Sequence, residues 1–112
     1  MTTEPSRTEI ERSTGAVMLE FGASWCSICH AARPHIDQAL RDHPGVEHVR
    51  IEDGKGKPLG RSFGIKLWPT LVFLRDGKEV HRVVRPRGAE ELEQAFERCF
   101  AGFLSRSAET GH

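Results

Sequence analysis

The stretch AVMLEFGASWCSICH, from Ala16 to His30, decides the fold. Ala16–Val17–Met18–Leu19–Glu20–Phe21 is a short apolar run bounded by glycines and reads as a buried strand. Glu20 is the anomaly in it, because a charge inside such a run needs a reason. Gly22–Ala23–Ser24 turns the chain into Trp25–Cys26–Ser27–Ile28–Cys29–His30. From about Cys26 to His43 the apolar residues Ile28, Ala32, Ile36, Ala39 and Leu40 recur at helical spacing. Pro34 lies inside that pattern and is expected to kink the helix, and Pro44–Gly45 stops it. Cys26 and Cys29 therefore sit just after a strand, at the first turn of a helix. Unpaired N–H groups and about half a positive charge gather at such an end, which favours a thiolate on the first cysteine. The second lies one turn on, close enough to close a small disulfide ring, so a mixed disulfide at Cys26 is resolved by Cys29. Trp25 is placed to shield the pair from bulk water.

Working outward, Ser6 is a cap for a short helix reaching Ser13 and ended by Gly15. Beyond the long helix, Val46–Ile51 reads as a second strand, and Glu52–Leu59, rich in Gly and Lys, as a loop. Leu59–Phe63 forms one or two helical turns closed by Gly64. Thr70–Leu74 is the most strand-like segment, Asp76–Gly77 is a hairpin turn, and Glu79–Val84 returns as its partner. Ala89–Phe103 closes the fold as an amphipathic helix with Leu92, Ala95, Phe96, Cys99, Phe100 and Phe103 on one face. Cys99 reads as a small core residue. Two early strands joined by a helix predict a parallel pair with a right-handed crossover, and the closing hairpin is antiparallel. The expected class is α/β, a mixed central sheet with helices on both faces.

The run Trp25–Cys26–Ser27–Ile28–Cys29–His30, with Pro34 following, resembles the thioredoxin family. Trp68–Pro69–Thr70 resembles that family's cis-proline segment, and Asp76–Gly77 its hairpin turn. The resemblance covers Ala16 to Phe103, roughly four-fifths of the chain. It implies a thioredoxin fold and a thiol–disulfide oxidoreductase acting on protein disulfides. Cys26 then matches the nucleophile, Cys29 the resolving thiol and Glu20 the buried acid that exchanges a proton with it. A buried, desolvated carboxylate is expected to have a raised pKa. Trp25, Trp68, Pro69 and Thr70 are the expected substrate-docking residues, with Pro69 cis and an extended substrate segment pairing beside it. The resemblance calls for no cofactor beyond the Cys26–Cys29 disulfide, and for electrons from a reductase or a small thiol. Departures are equally legible. Ser27–Ile28 replaces Gly-Pro between the cysteines, His30 the usual Lys, and Gly22 a second Trp. Trp68 stands before the proline where Ile is usual, and Arg85–Pro86 where a flexible glycine is usual. The family's first strand has no counterpart. These point to a specialised relative.

The residues alone leave other readings open. Cys26–Cys29–His30 is also C-x-x-C-H, the c-type haem attachment pattern, and Cys26, Cys29 and His30 or His35 are zinc-type ligands lacking a second spaced pair. The pair also reads as two packed thiols without a redox role. A further alternative is a thioredoxin-fold accessory or chaperone-like module with redox activity secondary or lost. Glu20 is an exposed carboxylate if its strand lies at an edge, and His35, His43, His48 and His81 read as solvated.

Composition bounds the remainder. The 112 residues, with hydrophobic content of 38 %, predict one thioredoxin-like domain, ordered over about residues 8–104 and polar at both ends. Sixteen basic and sixteen acidic side chains cancel, which argues against nucleic acid or an anionic membrane surface as partner. No run approaches the ~20 apolar residues of a membrane span. The opening MTTEPSRTEI has no apolar signal core, and three cysteines are too few for a disulfide scaffold. The expectation is a cytoplasmic monomer that recognises substrates through a backbone-docking groove at Trp68–Pro69.

Overall fold

The computed structural model describes residues 4–102. Along the chain it forms α1 (Arg7–Glu11), β1 (Ala16–Gly22), α2 (Ser27–Asp42), β2 (Glu47–Glu52), α3 (Pro58–Ser62), β3 (Thr70–Arg75), β4 (Lys78–Val84) and α4 (Ala89–Phe100). The order is the one expected, with most boundaries within two residues. Helix α4 stops at Phe100 because Ala101 leaves the helical region and Gly102 adopts a left-handed φ of 73°. Phe103 and the tail Ser105–His112 lie outside the described residues. Helix α2 continues through Pro34 to Asp42.

The sheet order is β2-β1-β3-β4. Strand β1 pairs parallel with β2 and antiparallel with β3, and β3 pairs antiparallel with β4. A central strand covered on both faces has no polar side, which explains the continuous apolar run of β1. Side chains alternate along it. Ala16 and Met18 pack with Ile36, Ala39, Phe96 and Phe100 beneath α2 and α4. Val17, Leu19 and Phe21 pack with Ile10, Leu59 and Phe63 beneath α1 and α3. Full burial of a side chain such as Phe96 contributes about 1.5–3 kcal/mol. The same alternation turns Glu20 to the Met18 side, under α2. Cys99 is buried in that layer, as expected of a core thiol.

Two local devices lock the frame. The Ser6 hydroxyl accepts from the Glu9 N–H at 3.1 Å, and the Glu9 carboxylate accepts from the Ser6 N–H, a complete capping box. In the β3–β4 hairpin Asp76 and Gly77 have φ of 48° and 82°, the two positive values that a two-residue hairpin needs. Asp76 also accepts from the Gly15 N–H at 2.7 Å and donates to the Gly15 carbonyl at 3.0 Å. A side chain at Gly77 would collide with the Glu11 carbonyl, so the hairpin and the end of α1 require a glycine there.

Candidate active site

The turn after β1 delivers both sulfurs to the start of α2. Cys26 is the N-cap, with φ −83° and ψ 114°, and its Sγ accepts from the Cys29 N–H at 3.4 Å. A sulfur that caps a helix lies where the unpaired N–H groups converge. Burial alone raises the Cys26 thiol pKa. The Cys29 thiol, the N–H groups of Cys29 and Ile28 and the charge of Arg85 outweigh it and hold Cys26 below its ordinary value. Cys29 lies deeper, and burial pushes it up to about 11 against a bond from Ala23, with the Cys26 and Glu20 charges adding to the rise. One sulfur is poised as a nucleophile and its neighbour is kept protonated.

Behind Cys29 lies a cavity of about 180 Å³ that Cys29 shares with Glu20, Arg33 and Arg50. Glu20 is 2 % exposed, so its burial in the strand is real. The expectation of a raised pKa is corrected. Burial does push the carboxyl up, but His48 Nε2 at 2.7 Å and Arg50 Nε at 3.3 Å overcome it, and Glu20 ends below its ordinary value. Parallel pairing supplies both partners, since Met18 sits opposite His48 and Glu20 opposite Arg50. Arg50 in turn reaches Asp37 of α2 at 3.7 Å. His48 is therefore half-buried and bonded, not solvated. His43 is corrected likewise, with Nε2 at 3.0 Å from Glu93 and its ring 4.9 Å from that of Phe96.

On the outer side, the Trp68–Pro69 peptide bond is cis. Trp68 packs against the cluster of Ala23, Cys26 and Cys29. Its ring meets that of Trp25 edge-on at 5.4 Å, and Trp25 is 73 % exposed. Trp25 thus lies open beside the pair while Cys26 itself is buried. Thr70 is buried, as Pro69 is, and its hydroxyl donates to the Leu67 carbonyl at 2.6 Å, so that hydroxyl is engaged within the loop. His30 turns Nε2 to the Ser24 carbonyl at 2.6 Å. Among the described residues no group of three or more His, Cys, Asp or Glu side chains is arranged to hold a metal ion.

A thioredoxin family model matches residues 1–98. The chain belongs to the thioredoxin family. Thioredoxin H-type 1 of Nicotiana tabacum is 35 % identical over 78 residues, which cover 70 % of this chain and 61 % of the tobacco protein. The chain therefore spans about three-fifths of that relative. A thioredoxin of Chlamydia muridarum is 31 % identical over 80 residues, covering 71 % of this chain and 78 % of that protein. The solved structure of reduced thioredoxin 2 from Pseudomonas aeruginosa PAO1 superposes with a TM-score of 0.78 at 53 % identity, covering 86 % of this chain and 89 % of that one. Thiol–disulfide oxidoreduction is the chemistry of the thioredoxin family, which needs no cofactor beyond its redox-active disulfide.

Several residues of this thioredoxin-family site were silent in the sequence. Asp53 lies in the stretch read as loop, yet it is buried. It accepts from the Trp68 indole N–H at 2.9 Å and its own N–H donates to the Gly22 carbonyl at 2.7 Å. A half-buried indole needs an acceptor, which was the available signal. Gly60 leaves room for that carboxylate, since a methyl there would overlap it. Gly22 does the same for Cys29, whose Sγ would lie 3.0 Å from an added Cβ. Arg85 holds the cis-proline loop twice, donating from its N–H to the Pro69 carbonyl at 2.8 Å and from Nε to the Trp68 carbonyl at 2.9 Å. Its φ of 53° is one that glycine adopts without cost, consistent with the glycine usual in the family there.

Proposed function

We propose that the protein reduces protein disulfides by a two-step exchange in which Cys26 attacks and Cys29 resolves. The observation that carries this is the split between the two thiols, Cys26 held below its ordinary pKa at the helix cap and Cys29 pushed up to about 11. The Cys26 thiolate attacks one sulfur of the substrate disulfide, forming a mixed disulfide and releasing the other substrate sulfur as a thiolate that takes up a proton. Cys29 then gives its proton toward Glu20, whose carboxylate is kept ionised by His48 and Arg50, and attacks Cys26. The Cys26–Cys29 disulfide forms, and the second substrate sulfur leaves and is protonated. The substrate has gained two electrons from the pair and two protons, one replacing that given up by Cys29 and one from solvent, because Cys26 began as the thiolate. A reductase or a small thiol returns the two electrons to the pair.

Trp25, Trp68 and the backbone at Pro69 receive the substrate as an extended segment laid along the loop. We read the protein as a cytoplasmic monomer, because a reactive pair and one buried thiol suit a reducing compartment. Insulin reduction tests the assignment of roles. Cys26→Ser is expected to reduce the rate to background, and Cys29→Ser to accumulate a mixed disulfide detectable by intact mass. Wild-type activity in Cys26→Ser would overturn it and favour an accessory role for the fold.

A further inference from the structure

Beside Cys26, between the first turns of α2 and the segment joining β4 to α4, runs an open groove of about 490 Å³. Its floor and walls include exposed Ile28 and Val84 and buried Pro86, and its charged lining is Arg85, Arg87 and His35. No carboxylate lines it. In the first turn of α4, Glu91 is turned to the Arg87 backbone N–H at 3.0 Å. Among the described residues neither the Arg85 nor the Arg87 guanidinium is paired with a carboxylate. With Nε fixed on the Trp68 carbonyl, Arg85 keeps its terminal nitrogens for another acceptor.

The opposite flank of the pair is built differently. Its carboxylates are already engaged, Glu52 by the Ser24 N–H at 3.0–3.1 Å and Asp53 by the Trp68 indole. A segment crossing the site from one flank to the other therefore meets acids that already accept hydrogen bonds on one side and guanidinium groups with free terminal nitrogens on the other.

We propose that this groove selects disulfides in extended peptide segments that carry an Asp or Glu within a few residues of the target cysteine. The apolar walls take a neighbouring side chain, and Arg85 and Arg87 take the carboxylate, for which a planar guanidinium offers two parallel N–H donors. The inference rests on the disulfide-reductase reading and adds its substrate class. Basic segments are disfavoured by the same charges.

Single-turnover reduction tests it, with the reduced protein and two synthetic disulfide peptides that differ only in Glu or Lys two residues after the cysteine. Wild type is expected to react about tenfold faster with the Glu peptide at low salt, a ratio worth about 1.4 kcal/mol, and the ratio should shrink as salt screens the pair. Arg87→Glu should bring the ratio to one or invert it. Arg85→Gly, which suits the local φ, should lower it. Both peptides meet the same thiolate, so their ratio is blind to any change in Cys26 itself. Equal wild-type rates, or a ratio unmoved by both substitutions, overturn the proposal while leaving the reductase reading intact. Failure of wild type to reduce either peptide overturns both.

Discussion

Cys26 and Cys29 stand within one helical turn, yet the regions on either side of that turn are built from different materials. On the outer side are an exposed indole at Trp25, the cis-proline loop and two open arginines, all arranged around a sulfur that caps a helix. On the inner side are Gly22, a small cavity and a carboxylate held by His48 and Arg50, around a sulfur that burial keeps protonated. The difference teaches that motif spacing supplies two equal thiols and surroundings make them unequal. Helix-end N–H groups lower one thiol, and the loss of water raises the other.

The strongest way to break this comparison is to measure both thiols directly. At pH 7, iodoacetamide is expected to modify Cys26 at least about a hundredfold faster than Cys29, because only thiolate reacts. Labelling of Cys29 in Cys26→Ser should still need alkaline pH, because burial, the first cause of its rise, remains, but at a lower pH than the value of about 11 set with Cys26 present. Equal rates at neutral pH, read by mass spectrometry, would remove the asymmetry on which the assigned roles depend.

A somewhat smaller effect is expected from Glu20→Gln. Decay of the mixed disulfide should slow by about ten- to a hundredfold, near the lower range for a positioned base, while its formation at Cys26 changes little. The same variant sharpens the electrostatic side. Glu20 is shifted below its ordinary value of 4.5 in the fold. It therefore contributes stability that is present above the unfolded pKa and lost as pH falls through the folded one. Urea unfolding of the wild type should show that acid-side loss below about pH 4.5, and Glu20→Gln should lack it. An identical pH dependence in the two proteins would mean that His48 and Arg50 do not hold the carboxylate.

Least affected in chemistry, but measurable in stability, is the support of Trp68. Gly60→Ala forces Asp53 aside, and Asp53→Asn weakens the acceptor of the indole. Each is expected to cost about 1–3 kcal/mol in denaturant unfolding, with a shift in tryptophan fluorescence and at most a severalfold change in insulin reduction. Full loss of reduction would show that the outer side depends on the Asp53–Trp68 bond more than on the cysteine pair's own cap.

The legibility of the site divides along the same line. Strand β1, the cysteine turn and helix α2 are continuous in the chain, so apolar period and spacing revealed them together. Hairpin Asp76–Gly77 was legible for the same local reason, since two positive φ values narrow the choice of residues. His48 and Arg50 carry no such mark. They reach Glu20 only because β2 pairs parallel with β1 in one register. Asp53, Gly60 and Arg85 gain their meaning from partners 15 to 17 residues away or across a loop, and the loop composition around Asp53 pointed elsewhere. Thr70 lies beside Pro69, but the turn of its hydroxyl to the Leu67 carbonyl was not legible, because which way a strand's first residue faces depends on the sheet around it.

By itself the sequence determined the order of elements, the central buried strand, the cysteine pair at a helix start and the core thiol at Cys99. These follow from local periodicity and from backbone geometry within a few residues. Only the tertiary structure decided that Glu20 is ionised, that His48 and His43 have partners, and that zero net charge conceals an open cationic groove beside Cys26. Those outcomes depend on desolvation and on through-space pairing, which are properties of neighbours brought together by the sheet, not of neighbours along the chain.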